Sequence, residues 1–231
     1  EILLKQIQVS GYKPYKFEEE FTINLGEIEN QTFLLNGRID RIDKCGNSLI
    51  LMDYKTGKAQ IELSKFYDGR QLQLPIYIVA LSDKQNVEGA FYFPIVIGDK
   101  IKSKKLCGYF ENNTKIIKKF DKTLSPNTLK SEIINLTLKK NSTENFFNVY
   151  SRAGVLEDGN LSKIGEYAKD IVKSGIKESL SGNVKALPAD LQFCSTCPYY
   201  KLCCFNIETG IFRDNQTGIK ENDIIEILAN K

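Results

Sequence analysis

The stretch "GRIDRIDKCGNSLILMDYKTG", Gly37 to Gly57, restricts the possible folds of this chain more than any other segment. Its apolar residues alternate as in half-buried strands, interrupted once by a turn at Gly46-Asn47. Strands are poor in Asp, yet Asp40 and Asp43 precede the turn, and Asp53 follows it two residues before Lys55. With a period of two, Leu49, Leu51, Asp53 and Lys55 share one face of the second strand, and Ile50, Met52 and Tyr54 share the other. Packing accounts for the leucines but not for an acid and an amine beside them. Asp40 and Asp43 are three positions apart, so on a regular strand they face opposite sides and only one can join Asp53.

The flanking sequence extends this pattern into a sheet. "FEEEFTINL" and "QTFLLNGRIDRID" read as strands joined at Glu29-Asn30, giving an antiparallel meander with "SLILMDYK". "GRQLQLPIYIVALS" has helical spacing at Leu72, Ile76, Val79 and Ala80, with Pro75 either in the first turn or at a kink. "VEGAFYFPIVIG" reads as a strand limited by Pro94. Strand, helix and strand in this order predict an α/β (α+β) fold with a mixed sheet backed by a helix. Further on, "CGYFENNTKIIKKF" reads as a strand and turn, "SPNTLKSEIINLTLKK" as a helix through Leu129, Ile133 and Leu136, and "NFFNVY" as a short strand. "LSKIGEYAKDIVKSGIKESLSG" is an amphipathic helix stopped by Gly182, and "ENDIIEILAN" a short terminal helix. There is no internal repeat or low-complexity linker. The expected division is a core over residues 1–187 and a cysteine-bearing lobe over 188–231.

Several chemistries are excluded. The chain has no His, which removes His-based triads, His-activated cysteines and His-ligated zinc. It has neither a Gly-x4-Gly-Lys-Ser/Thr loop nor a Gly-x-Gly-x2-Gly fingerprint, so no nucleotide-binding engine is visible. The net charge of +3 is too mild to demand a polyanion partner. No apolar run is long enough to span a membrane and no secretory signal is present, so the expected location is cytoplasmic. In that compartment "CSTCPYYKLC", with Cys194, Cys197 and Cys203, favours metal or cluster ligation over disulfides. Cys45 and Cys107 read as buried or idle thiols.

An acid and a lysine on one strand face can share a site in which the carboxylate holds a divalent cation and the amine orients a water. A second acid from the neighbouring strand would supply the oxygen-rich shell that Mg²⁺ takes. The competing reading is an exposed Asp-x-Lys ion pair of little energetic weight.

The combination "GRIDRID…LILMDYKTG…QLQLPIY" closely resembles the RecB/AddB-type nuclease domains of the PD-(D/E)XK superfamily, which are attached to helicase machines that process double-strand DNA breaks. The resemblance implies a restriction-endonuclease-like core, a mixed sheet flanked by helices. It matches the first acid to Asp40 rather than Asp43, the second acid and lysine to Asp53 and Lys55, and the helix glutamine to Gln73, four residues before Tyr77. It further implies a Mg²⁺ or Mn²⁺ ion held by Asp40, Asp53 and the main-chain carbonyl of Tyr54. "CSTCPYYKLC" is similar to the ending of AddB-like members, in which three cysteines and a distant upstream fourth hold a [4Fe–4S] cluster; here they match Cys194, Cys197 and Cys203. Two departures accompany the match. No helix before the first strand is visible to bring a polar residue to the metal, and the upstream cysteine is missing, as in a piece of a larger protein; adjacent Cys204 is a poor substitute.

The implied activity is metal-dependent exonucleolytic hydrolysis of DNA phosphodiester bonds, on single strands or duplex ends, beside a helicase subunit or domain in break repair and recombination. Lys102, Lys104, Lys105, Lys115, Lys118, Lys119, Lys139 and Lys140, interleaved with Tyr109 and Phe120, read either as a DNA track or as solvated surface. Two alternatives remain at this level: a nuclease fold that no longer cuts and serves as a DNA-binding or scaffolding module, and a zinc-stabilised interaction domain built on the cysteines.

Overall fold

The structure is a computed structural model that describes residues 2–57, 60–95, 105–125, 127–140, 147–149, 154–157, 159–189, 191–203, 205–206, 208–212, 226 and 230. Helix α1 (Ile2–Val9) leads into a long hairpin of β1 (Lys13–Ile28) and β2 (Gln31–Cys45), and β3 (Ser48–Lys55) completes the meander. Short α2 (Leu63–Tyr67) and α3 (Gln73–Ser82) cross over to β4 (Asn86–Pro94), followed by β5 (Cys107–Glu111) and α4 (Thr114–Phe120). After β6 (Leu138–Lys140), β7 (Phe147–Val149) and β8 (Val155–Leu156) come α5 (Asn160–Leu180) and the short α6 (Leu191–Thr196) and α7 (Tyr200–Cys203). The six-stranded sheet has the order β1-β2-β3-β4-β5-β8, with β3–β4 and β5–β8 parallel and the other pairs antiparallel. A separate ribbon pairs β6 with β7.

The meander follows from local chemistry. Glu29 and Asn30 both have positive φ (48° and 61°), the two-residue turn whose twist suits a hairpin, and Gly46 (φ 59°) opens the second turn. Pro75 is the third residue of α3, within the first turn, where its missing N–H breaks no helical bond.

Each face of the sheet has its own core. Leu49, Leu51 and Ile42 pack with Leu74, Tyr77 and Ile78 of α3 and Leu161, Ile164 and Ala168 of α5. Ile50, Met52, Phe91 and Phe110 pack on the other face with Ile116, Ile117 and Phe120 of α4. The alternation predicted for β3 is therefore the observed one. Helices α3 and α5 meet at Gly165, where an added Cβ would lie 3.0 Å from Val79 Cβ and 3.3 Å from the Pro75 carbonyl.

Two buried polar clusters fix the second face. Arg41 donates through Nε and a terminal nitrogen to both Asp43 oxygens (2.6 Å each), and Gln6 of α1 closes the ring by accepting from Arg41 (2.8 Å) and donating to Asp43 (2.9 Å). Burial opposes the Arg41 charge, yet the bond to Asp43 outweighs it and raises the guanidinium pKa. At the start of β3, buried Glu88 accepts from Tyr12, Ser48 (2.8 Å) and Lys119 (2.7 Å), tying α4 to the sheet.

Three sequence expectations are corrected. A helix does precede the first strand, and its Gln6 serves Arg41 and Asp43. The segment "TKIIKKF" is helix α4, capped by the Asn113 side chain accepting from the Lys115 N–H (3.0 Å). Residues 127–137 are not helical: isolated bridges link Lys130 to Thr137 and Leu106 to Ile134. Ser131 Oγ accepts from the N–H groups of Ile133 and Ile134, offering the backbone an alternative to helix while Ile133, Ile134 and Leu136 fill the core. Most of "ENDIIEILAN" lies outside the described residues.

The two acids of β2 should therefore differ in unfolding experiments. Asp43→Ala strands buried Arg41 and is expected to cost about 3–5 kcal/mol. Asp40→Ala loses one hydrogen bond at a partly exposed position and is expected to cost about 1 kcal/mol. Equal urea midpoints for the two variants would contradict the buried ring.

Candidate active site

The site lies where β2, β3 and the first turn of α3 meet. Pairing of β2 with β3 is recorded to Arg41↔Met52, and the same register carried one step further sets Asp40 against Asp53. Ile39 and Ile42 both belong to the first core, so the alternation of β2 slips between them, at Asp40 and Arg41. Opposite Asp40 on β1, Glu18 has a positive φ of 53° and forms no register pair. This irregularity leaves Asp40 partly exposed, and its Oδ2 accepts from the Tyr54 N–H (2.8 Å).

Asp53 is buried, and three groups converge on it. Gln73 Nε2 donates to Oδ1 (2.6 Å), Tyr77 Oη donates to the same oxygen (3.2 Å), and the Lys55 ammonium stands 2.6 Å from Oδ2. Gln73 spans the pair: its Oε1 accepts from Lys55 Nζ (2.7 Å), while its Nε2 also reaches the Tyr77 hydroxyl (3.0 Å). The structure thus brings Asp53, Lys55, Gln73 and Tyr77 together, with Asp40 beside them. Burial pushes the Tyr77 phenol up to about 12; the bond from Gln73 opposes this, and the negative charges of Asp53 and Asp40 add to it.

Supporting groups come from residues with no sequence signal of their own. Lys55 Nζ lies 5.2 Å from the Tyr92 ring centroid, and Tyr92 is the register partner of Asp53 on β4. Burial, then the charge of Asp53, raises the Tyr92 phenol pKa. Phe21 of β1 lies across Gly37, where a Cβ would come within 2.4 Å of the ring, and meets Tyr77 edge-on at 5.8 Å. Parallel register and cross-strand ring placement depend on the crossover through α3, which local periodicity does not specify.

The donors fit a hard divalent cation. Both acids offer oxygen, and Asp53 Oδ2 is buried without a hydrogen bond, held only by its ionic contact with Lys55. Among the described residues no group of three or more His, Cys, Asp or Glu side chains is assembled for a metal. Two carboxylates suffice for Mg²⁺, which keeps several waters.

Cys194, Cys197 and Cys203 are free thiols, and the Cys197 N–H reaches the Cys194 carbonyl (3.3 Å) in a turn between α6 and α7. Cys204 lies outside the described residues. Burial raises the Cys107 thiol pKa to about 11, as suits an inert side chain. The aromatic members of the expected DNA track are core: Tyr109 and Phe120 are fully buried. Lys119 is paired with Glu88; Lys102 and Lys104, and the side chains of Lys139 and Lys140, lie outside the described residues.

The profile of the PD-(D/E)XK nuclease superfamily matches residues 3–204, and the chain belongs to that superfamily. It is also similar to curated bacterial proteins named as ATP-dependent helicase/deoxyribonuclease subunits of the B type. It is 28% identical to the one from Clostridium perfringens strain SM101, covering 100% of this chain and 23% of that protein. It is 30% identical to those of Thermoanaerobacter sp. strain X514 (84% of this chain, 18% of that protein) and Alkaliphilus metalliredigens (87% and 19%). The chain therefore spans roughly a fifth of the length of these relatives. No helix among the described residues is long and apolar enough to cross a membrane.

The Tyr77 environment makes alkaline stability a test of the cluster. The unfolded phenol ionises near its ordinary value of about 10 and the folded one at about 12. Its contribution is therefore complete below pH about 10 and disappears as pH rises through about 12. Tyr77→Phe removes that share, so urea melts of the variant should lose stability less steeply than wild type across this window.

Proposed function

We propose that this chain is a metal-dependent deoxyribonuclease domain of the RecB/AddB kind, hydrolysing DNA phosphodiester bonds exonucleolytically beside a helicase during break repair and recombination. The observation that carries the reading is the convergence of Lys55, Gln73 and Tyr77 on buried Asp53, with Asp40 at its side. An isolated surface ion pair has no reason to bury its acid or recruit an amide and a phenol from a helix.

In this reading Asp40, Asp53 and the Tyr54 carbonyl hold Mg²⁺ or Mn²⁺. The bound ion supplies charge stabilisation and a more acidic water. Lys55, whose side chain is a third exposed while Asp53 is buried, orients the attacking water and steadies the negative charge that develops on phosphate. Gln73 fixes Lys55 relative to Asp53 through its two bonds, so the amine and the acid keep one geometry as DNA enters. Tyr77 remains protonated at neutral pH and is a donor throughout. The core over residues 1–187 performs the chemistry. In the lobe over 188–231, Cys194, Cys197 and Cys203 form no metal-holding group by themselves among the described residues; with a fourth cysteine from elsewhere they would hold a [4Fe–4S] cluster.

Lys55→Ala is expected to lower Mg²⁺-dependent cleavage of linear DNA by at least about a hundredfold at temperatures where circular dichroism shows the variant folded, and to lower its melting temperature because buried Asp53 Oδ2 loses its ionic partner. Asp53→Asn should abolish Mn²⁺ binding in calorimetry. Undiminished cleavage by the lysine variant would remove this assignment.

A further inference from the structure

We propose that a ribbon of surface formed by Lys122, Lys13, Lys44 and Tyr15 binds single-stranded DNA away from the catalytic cluster. The proposal rests on the nuclease reading for the identity of the polyanion and on separate residues for the surface.

Three of the side chains, Lys13, Lys44 and Tyr15, are neighbours, and Lys122 stands beside Gly11, two residues before Lys13. The Lys122 N–H bonds to the Val9 carbonyl (3.0 Å), and its Cε lies 3.5 Å from where a Cβ on Gly11 would stand. Two residues beyond Gly11, Lys13 is the cross-strand partner of Lys44. The Lys44 ammonium lies 4.8 Å from the centroid of the Tyr15 ring. Tyr15 is the extra residue of a bulge: Pro14 pairs with Asp43 and Lys16 with Ile42, and Tyr15 between them pairs with nothing. A bulge re-aims its side chain, and Tyr15 is 49% exposed.

The charge of the ribbon is not cancelled. The acids around it are buried and already bonded: Asp43 to Arg41, Glu88 to Lys119, and Asp121 to Thr123 and Ser131. Lys16 is matched by Glu19. The Lys13 ammonium donates to the Ile7 carbonyl, a neutral acceptor that leaves its charge in place. Among the described residues no carboxylate forms a salt bridge with Lys13, Lys44 or Lys122. The result is a local positive strip on a chain whose net charge is only +3. Lysines alone would suit any polyanion. An exposed aromatic ring set among them favours unpaired bases, which can stack on it, over a duplex, whose bases are already stacked. The strip lies apart from the catalytic cluster on the same strand: Lys44 is four residues along β2 from Asp40, about 13 Å at the rise of a strand.

The test uses the intact protein and a labelled oligo(dT), in chelator so that nothing is cut, with affinity measured across a salt series. Each phosphate contact on a single strand contributes about 0.7 to the slope of log K against log salt. The triple Lys13→Ala, Lys44→Ala, Lys122→Ala variant should therefore show a slope shallower by about 2. Tyr15→Ala should weaken binding about tenfold at an unchanged slope, and Tyr15→Phe should bind as wild type. An unchanged slope in the triple variant overturns the ribbon, as does equal binding by Tyr15→Ala, or a preference for duplex or an acidic peptide over oligo(dT). Absence of metal-dependent cleavage in the wild type would sink the nuclease reading while leaving the binding result intact. Normal cleavage with an unchanged slope would sink the ribbon alone.

Discussion

The buried carboxylate of Asp53 is the constraint on which the rest of the site depends. Side-chain exposure of 3% leaves it almost no water, and an unpaired acid in that position would cost several kcal/mol or take up a proton. Its compensation comes from two elements at once: Lys55 from its own strand, Gln73 and Tyr77 from the crossover helix. Strand β3 and helix α3 can satisfy the acid in only one relative placement. The same contacts that make Asp53 tolerable therefore define the one geometry in which the amine and the carboxylate stand side by side, which the proposed cleavage requires.

Strand β2 shows how one element can supply two different kinds of acid. Asp43 is closed into a ring with Arg41 and Gln6, both of its oxygens bonded and its side chain wholly buried. Asp40 lies where the alternation slips, against the unpaired Glu18 of the neighbouring strand, and stays partly open. The ring locks α1 beneath the sheet; the slip turns the other acid toward Asp53. Local irregularity in an otherwise regular hairpin is what separates the sealed carboxylate from the one left open beside Asp53.

Much of this arrangement was legible in the residues themselves. A strict period of two placed Asp53 and Lys55 on one face because β3 is short, central and covered on both sides, so its pattern has little freedom. The turns at Glu29-Asn30 and Gly46-Asn47 were equally clear. The segment from Thr128 to Thr137 misled because helical spacing of Leu129, Ile133 and Leu136 is also met by an irregular chain that uses Ser131 to satisfy its backbone. Helix α1 was not visible because its one decisive residue, Gln6, has a purpose only once Arg41 and Asp43 have been folded beneath it. Tyr92 and Phe21 reach the site through tertiary placement alone. The match of Asp40, Asp53, Lys55 and Gln73 to a known pattern came from spacing within contiguous elements, the part of a site that a sequence records best.

The contact at Gly165 has a consequence at a distance. The main chain of α5 lies so close to Val79 and the Pro75 carbonyl that even a methyl group would wedge the two helices apart. Helix α3 holds Gln73 and Tyr77 at its start, so the seat of one small residue on a remote helix sets the spacing between amide and ammonium. A displacement of about 1 Å in a catalytic group can lower a rate about a hundredfold. Helix α5 thus works as a shim under the start of α3, where Gln73 and Tyr77 meet Asp53.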